Sequence, residues 1–374
     1  MTGTPRIVIA AGGTGGHLFP AEALAVALQR LGGRVVLATD ARVGSIAATF
    51  PAEEVVQIPA ATPSGGSPPQ MAKAALVLGL GVARAVVALR RLKPAAIVGF
   101  GGYPTVPPVL AASLLRIPAV LHEQNGVIGR ANRFLAPRVS LVATGFPLVK
   151  GIPSGIRAPV MHTGNPVRPA VIDAARTPYP ALPAGAPLQI LVFGGSQGAR
   201  VMSEIVPAAI ERLPGELRPT IRITQQARQE DVESVTFAYA QAKVAADVQA
   251  FFTDLPRRMA DAHLVVSRSG ASTVAELAAI GRPAILVPLP GALDQDQAAN
   301  AQSLAEIGAA TVIAQDAFTP DRLASEIVAR LRDPQGLTRA AAAAKSAGVT
   351  DAAERLAAHV LRLAAGKAIN ENRS

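Results

Sequence analysis

Short apolar runs alternate with stretches of helical periodicity along almost the whole chain. Runs such as Ile7-Val8-Ile9-Ala10 and Ile190-Leu191-Val192-Phe193 have no polar face, the pattern of strands covered on both sides in a parallel sheet. In the first half the pattern predicts strands over Arg6–Ala10, Arg34–Thr39, Ala95–Val98, Ala119–Leu121 and Val139–Val142. Helices are expected over Ala21–Leu31, Ala72–Leu92, Thr105–Leu115 and Ile128–Leu135. In the second half strands are expected over Gln189–Phe193, Thr220–Thr224, Val248–Phe252, Leu264–Val266, Ala284–Val287 and Ala310–Ile313, with helices between them. Strand and helix in regular alternation imply an α/β class with helices on both faces of a parallel sheet.

The pattern repeats at the scale of a domain. Gly12-Gly13-Thr14-Gly15-Gly16-His17 follows the first strand, and Gly194-Gly195-Ser196-Gln197-Gly198 follows the first strand of the second half. Each reads as strand, tight turn and helix start. Such a turn aims backbone N–H groups and the positive end of a helix dipole at a ligand above the strand tip, commonly a phosphate or pyrophosphate. Two such units imply two α/β domains facing each other across a cleft, as does a length of 374 residues. The boundary is expected at Gly164-Asn165-Pro166, giving domains 1–165 and 166–350. The proline-rich stretch after Arg168 serves as linker, and 351–374 forms a C-terminal helix with a polar tail. Pro59–Gln70, rich in Pro, Gly and Ser, is expected to be a mobile loop.

Composition narrows the chemistry. Cysteine is absent, which excludes disulfides and thiolate catalysis. With 36 Lys and Arg against 26 Asp and Glu the net charge is +10, which suits an anionic partner. Aromatic residues are only 3%, poor material for stacking bases, so nucleic acid is not expected as a partner. No leader of basic-then-apolar form precedes the first strand, so a cytoplasmic location is expected. No uninterrupted apolar run approaches the ~18 residues of a membrane span; Ala74–Leu89 is broken by Gly79, Gly81 and Arg84.

The polar residues cluster where the strands end. A dinucleotide fingerprint at Gly12–His17 is disfavoured because Leu18 stands where a third glycine is required, although Asp40 at the end of the second strand fits that alternative. His17 contacts substrate or assists proton transfer; the alternative is a solvated or capping histidine. His122-Glu123-Gln124-Asn125, at a strand's carboxyl end, falls on the ligand edge of an open sheet. Tyr103, after Gly101-Gly102, is placed either to bond a sugar or to pack. Ser269 or Ser272 is a candidate helix cap, while Glu276 is placed to accept both hydroxyls of a ribose or to sit exposed on the surface. Gln297 and Asn300, at i and i+3, share a helix face and carry amides suited to sugar hydroxyls. Asp294 and Asp296 have Asp-x-Asp spacing but lie in this amide motif, so no metal site is expected.

Taken in order, Gly12–His17, Gly101-Gly102-Tyr103, His122–Asn125, Thr163-Gly164-Asn165-Pro166-Val167-Arg168, Gly194–Gly198, Arg268-Ser269-Gly270-Ala271 and Gln297 with Asn300 resemble the MurG family of peripheral glycosyltransferases, of glycosyltransferase family 28. The resemblance covers nearly the whole chain. It implies two Rossmann-like domains of the glycosyltransferase B fold. It also implies an inverting transfer of N-acetylglucosamine from UDP-N-acetylglucosamine to the muramyl 4-hydroxyl of a lipid-linked pentapeptide precursor, with no cofactor. By the resemblance, Glu276 accepts the ribose and the backbone around Phe252 reads uracil. Ser196 and Gln197 meet the donor diphosphate and sugar, Arg168 lies near the donor, and Gln297, Asn300 and Asn125 grip the N-acetylglucosamine. Gly13, Thr14, Gly15 and Gly16 cradle the acceptor pyrophosphate, and His17, Tyr103 and Glu123 line the reacting centre. The family commonly carries His-Gln or Gln-Gln where this chain has Asp296-Gln297, so no role is transferred to Asp296.

The acceptor hydroxyl needs a base, and His17 and Glu123 are both candidates. Backbone amides and the helix dipole at Gly194–Gly198 would take up charge on the departing phosphate. The lipid-linked acceptor implies a peripheral enzyme at the cytoplasmic face of the inner membrane. Met71–Lys93, apolar residues rimmed by Lys73, Arg84, Arg90, Arg91 and Lys93, is the expected contact with an anionic surface. Other proteins of cell-wall synthesis are further candidate partners. Other sugar-nucleotide enzymes of the same architecture, such as epimerases or natural-product glycosyltransferases, an NAD-dependent oxidoreductase and a nucleic-acid binder are the rival classes.

Overall fold

The computed structural model describes residues 4–13, 15–41, 49–62, 67–183, 185–195, 198–291 and 296–367. The chain forms two compact units, 1–168 with 350–374, and 169–349. Thr14, Ser196, Gln197, Asp294 and the centre of the Pro59–Gln70 loop lie outside the described residues.

The first unit runs β1 (Arg6–Ala10), α1 (Gly15–Arg30), β2 (Arg34–Thr39), β3 (Glu54–Gln57), α2 (Pro68–Leu92), β4 (Ala96–Gly99), α3 (Val106–Leu114), β5 (Ala119–Glu123), α4 (Arg130–Leu135), β6 (Leu141–Thr144) and β7 (Val160–His162). Its seven strands are all parallel, in the order β3-β2-β1-β4-β5-β6-β7. The order reverses between β1 and β4, and the crevice above such a switch point is where open α/β sheets bind ligands. The central strands are fully buried because both faces are covered. Ile7, Ile9, Val98 and Val120 pack with α1 on one side, and Val8, Ile97 and Leu121 pack with α2, α3 and α4 on the other. Helix α2 lies close to its neighbours at Gly81, where a Cβ would stand 2.2 Å from the Pro59 carbonyl and 3.1 Å from the Pro107 ring. Its Ala85, Leu89 and Leu92 enter the core, while Met71, Leu76, Leu80 and Val87 are exposed. Among described helices α2 alone is long and apolar enough to cross a membrane by length and composition; here one face is packed on the sheet.

The second unit contains α5 (Pro169–Ala174), β8 (Leu188–Phe193), α6 (Arg200–Glu211), β9 (Ile221–Gln226), α7 (Val232–Gln241), β10 (Ala245–Gln249), α8 (Leu255–Asp261), β11 (Leu264–Ser267), α9 (Ala271–Ile280), β12 (Ala284–Leu286), α10 (Asp296–Ala305), β13 (Ala310–Val312), α11 (Pro320–Arg332) and α12 (Pro334–Ser346). Its six strands are also all parallel, in the order β10-β9-β8-β11-β12-β13, with the switch point between β8 and β11. Leu188, Ile190, Val192, Leu264, Val266 and Ile285 form the centre of its core.

The chain then rejoins the first unit through α13 (Ala352–Ala364). Ala353, Leu356, Ala357 and Val360, at helical spacing on one face, join the core beside Leu24 and Leu28 of α1.

Three expectations are corrected at sheet edges. β3 and β7, absent from the pattern, are edge strands with alternating or mostly exposed residues, so no apolar run marks them. β10 is also an edge strand, and it ends at Gln249. The Val248–Phe252 expectation therefore places the strand too late, and Phe252 sits in the loop before α8.

Candidate active site

At the first switch point, β1 leads through Gly12 and Gly13 into α1, and β4 leads through Phe100, Gly101 and Gly102 to Tyr103. His17, the third residue of α1, lies over the β4 turn. A Cβ on Gly102 would stand 3.3 Å from His17 Nε2, and one on Gly101 would stand 3.5 Å from Cε1. Both glycines have positive φ, 82° and 70°, so the close approach and the backbone conformation both favour glycine. Tyr103 is half-buried, packed in part against the core beneath.

The end of β5 supplies two separate pairs of polar side chains, because neighbours on a strand point to opposite faces. His122 and Gln124 share one side. Gln124 Nε2 lies 3.0 Å from His122 Nδ1 and 2.9 Å from the His122 carbonyl, and Gln124 Oε1 lies 3.2 Å from His17 Nδ1. His122 Nε2 lies 3.0 Å from the Gly164 carbonyl. Burial pushes His122 down to about 4, against the opposing effect of that carbonyl, with a smaller lowering from His162. His17 Nε2 has no partner among the described residues.

Glu123 and Asn125 share the other side. The buried Glu123 carboxylate accepts from Asn125 N at 3.0 Å, Asn125 Nδ2 at 3.3 Å, Gly129 N at 2.9 Å and Asn132 Nδ2 at 2.8 Å. Two donors meet each oxygen, so its near lone pairs are committed to holding the 124–129 loop. That arrangement ties the 124–129 loop to the end of β5. Asn125 is tied to Glu123 by the same contacts. Asn165 Nδ2 donates to the Gln124 carbonyl at 2.8 Å, so the Thr163–Arg168 motif supports the 122–125 motif. The Arg168 guanidinium stacks over Phe19 at 4.5 Å, beside Glu22 of α1.

At the second switch point, Gly194 and Gly195 follow β8, and α6 begins at Arg200. The β11–α9 turn is joined to the start of α10. Ser269 Oγ donates to the Gln297 carbonyl at 2.8 Å, Asn300 Nδ2 donates to the Ser269 carbonyl at 3.2 Å, and Gln297 Oε1 accepts from Leu289 N at 3.0 Å. The Arg268 guanidinium braces the loop by donating to the Val287 and Pro288 carbonyls at 3.1 and 3.0 Å and to Gln315 Oε1 at 2.5 Å. Asn300 is fully buried and belongs to this framework, whereas Gln297 is half-buried. The candidate helix caps are corrected here. Gly270 occupies the N-cap of α9 without a side-chain bond, and Ser269 is turned to α10 instead. Glu276 is 6% exposed, which removes the exposed-surface alternative. The Asp296 carboxylate accepts from Gln297 N at 2.8 Å, a helix-start contact. Phe252 is buried under the Arg258 guanidinium, 4.1 Å from the ring centre, and Arg258 is held by Asp254 and Asp247.

Among the described residues no cluster of three or more His, Cys, Asp or Glu is placed to hold a metal. The structure thus brings His17, Tyr103, Glu123 and Asn125 to one sheet end, and Gln297 and Asn300 to another. His122 and Gln124, expected on this edge as part of the 122–125 motif but with no individual role, join the first group as a pair of their own. The period-two alternation of the strand is the signal that separates them from Glu123 and Asn125.

Two family models match the chain: the glycosyltransferase family 28 N-terminal domain over residues 7–144 and the family 28 C-terminal domain over residues 189–356. A UDP-N-acetylglucosamine–N-acetylmuramyl-(pentapeptide) pyrophosphoryl-undecaprenol N-acetylglucosamine transferase from Methylorubrum extorquens is 63% identical over 363 residues, covering 97% of this chain and 98% of the relative. The protein of the same name from Methylobacterium radiotolerans is 62% identical, with the same coverage. The crystal structure of Acinetobacter baumannii MurG superposes with a TM-score of 0.78 at 32% identity, covering 96% of this chain and 99% of that one. Two all-parallel α/β units of Rossmann type, both family models and this degree of identity lead to one conclusion: the chain belongs to glycosyltransferase family 28.

Proposed function

We propose that this protein transfers N-acetylglucosamine from UDP-N-acetylglucosamine to the 4-hydroxyl of the muramyl sugar in undecaprenyl-pyrophosphoryl-N-acetylmuramoyl-pentapeptide. The relatives at 63% and 62% identity bear the name of that activity. The observation that carries the reading is His17 at the first switch point, bonded through Nδ1 alone among the described residues, with a bare ring nitrogen beside Gly102.

The first unit takes the acceptor. The amides of Gly13, Gly15 and Gly16 at the start of α1 favour a pyrophosphate, and Tyr103 flanks the muramyl sugar. His17 Nε2 accepts the proton of the 4-hydroxyl as its oxygen attacks the anomeric carbon. Glu123 acts by holding the loop. The second unit takes the donor, with Glu276 on the ribose, the main chain at Phe252 on uracil and Gln297 on the sugar. The C1–O bond to the β-phosphate breaks, UDP leaves, and the configuration inverts to a β-1,4 link. Charge growing on the β-phosphate is met by the N-terminal dipole of α6.

The acceptor's lipid stays in a bilayer, and α2 supplies a matching surface. Leu76, Leu80 and Val87 are exposed along one stripe with Arg84, Arg90 and Lys93 exposed beside them. Apolar side chains among cations fit a helix lying in the interface of an anionic leaflet.

Calorimetry tests the donor assignment. UDP and UDP-N-acetylglucosamine are expected to bind and NAD is not. Glu276→Ala should weaken UDP by about tenfold, the loss of a charge-assisted bond worth roughly 1.5 kcal/mol. Binding of NAD without UDP-N-acetylglucosamine would return the chain to the dinucleotide reading.

A further inference from the structure

A hydrogen-bond chain behind His17 has both its directions fixed by backbone carbonyls. A carbonyl only accepts, so His122 Nε2, 3.0 Å from the Gly164 oxygen, carries a hydrogen. His122 is fully buried and kept neutral by that burial, so its Nδ1 carries a lone pair. The end of the Gln124 side chain that lies 2.9 Å from the His122 carbonyl is a donor, hence the amide nitrogen, and the same nitrogen donates to His122 Nδ1 at 3.0 Å. The Gln124 amide oxygen therefore faces His17. An amide oxygen also only accepts, so His17 Nδ1, 3.2 Å away, carries the hydrogen. A neutral imidazole has a single N–H, which leaves the lone pair on Nε2.

We infer that Gln124 and His122 are positioning residues that lock His17 in its Nδ1–H tautomer, so that Nε2 is the proton acceptor, with the Gly164 carbonyl setting the sense of the whole chain. The inference rests on the reading of His17 as the group that takes the acceptor's proton. In the other tautomer Nε2 would donate and could not remove a proton. The Gly164 carbonyl comes from the segment whose Asn165 also holds the Gln124 backbone at 2.8 Å, so one short segment fixes both the main chain and the side chain of Gln124. Gln124 and His122 are buried, and substrate contact is not part of their task.

The test is NMR of the full-length enzyme with isotope-labelled histidine, read through the ring-nitrogen correlations, alongside steady-state kinetics. His17→Ala assigns the His17 signals. The wild type is expected to show His17 as Nδ1–H. Gln124→Met, close in volume but without donor or acceptor, is expected to lose that preference. Its kcat should fall roughly 10- to 100-fold, the scale of general-base catalysis, with KM for UDP-N-acetylglucosamine unchanged. Gln124→Glu keeps an acceptor facing His17 and should retain the Nδ1–H tautomer, while its second oxygen, set against the His122 carbonyl and Nδ1, should lower the stability of the protein. A wild-type His17 in the Nε2–H form would overturn the inference, and this readout needs no variant to fold. Unchanged tautomer and kcat in Gln124→Met would overturn it as well. Normal turnover of His17→Ala would instead sink the base reading, while the tautomer measurement still decides whether the relay exists.

Discussion

Replacing Glu123 by Gln separates an anchor from a base. The carboxylate receives two donors on each oxygen, from Asn125 N and Nδ2 on one and from Gly129 N and Asn132 Nδ2 on the other. An amide of the same shape has one oxygen and one NH2 group. Whichever way it turns, the NH2 faces two donors and both bonds are lost. Each is a charge-assisted bond worth roughly 1.5 kcal/mol or more at a buried position, so the loss is about 3 kcal/mol. For a domain of this size that corresponds to a fall of roughly 6–12 °C in the melting temperature of the first unit. The assay is thermal and urea unfolding of Glu123→Gln, with turnover measured on the folded fraction. An anchor loses stability first, and activity falls because the 124–129 loop and Gln124 shift. A melting temperature within a degree or two of wild type, combined with abolished turnover, would refute the anchor and restore Glu123 as a base.

Three further outcomes are expected. His122 binds a proton below about 6.5 when unfolded but only near 4 when folded. The unfolded state therefore gains protons first, and stability, complete above pH ~6.5, falls as pH drops. Between pH ~7 and pH ~5 this group alone should remove about 2 kcal/mol, a loss that His122→Asn should lack in urea titrations at the two pH values. Arg282 is 1% exposed and is bonded to carbonyls, among them Met259 at 3.1 Å, Ile280 at 2.8 Å and Pro178 at 3.2 Å, capping the ends of α8 and α9. Arg282→Met strands those oxygens and should lower the urea stability of the second unit by about 3 kcal/mol, leaving UDP affinity of the folded protein intact. Leu76→Glu with Leu80→Glu should abolish sedimentation with vesicles containing phosphatidylglycerol while leaving UDP affinity unchanged; persistent sedimentation would remove α2 as the docking surface.

The central strands were legible because burial on both faces makes them uninterrupted apolar runs, and β1, β2 and β8 stand within a residue of their expected bounds. The edges were not, since Glu54, Gln57, His162 and Asp247 face water and break any run. The start of α1 was also missed, as Gly15 and Gly16 are weak helix formers that only tertiary packing holds in the first turn. At the site, the polar identity of residues 122–125 was readable, but the division of labour was not. Whether a carboxylate is an anchor or a base depends on how many donors reach it, and two of the four come from Gly129 and Asn132, which nothing in the local motif marks. Asn300 illustrates the same limit. Its helix position suggests a sugar contact, and nothing in the local sequence marks its bond to the Ser269 carbonyl or its burial.

The most direct measurement supplies purified protein with UDP-N-acetylglucosamine and a lipid-linked muramyl-pentapeptide, and determines the product's new glycosidic bond by NMR while UDP is quantified. One UDP released per β-linked disaccharide, with the release abolished in His17→Ala, is the predicted result. Hydrolysis of the donor without transfer, epimerisation at its C2, or an α-linked product would contradict the account.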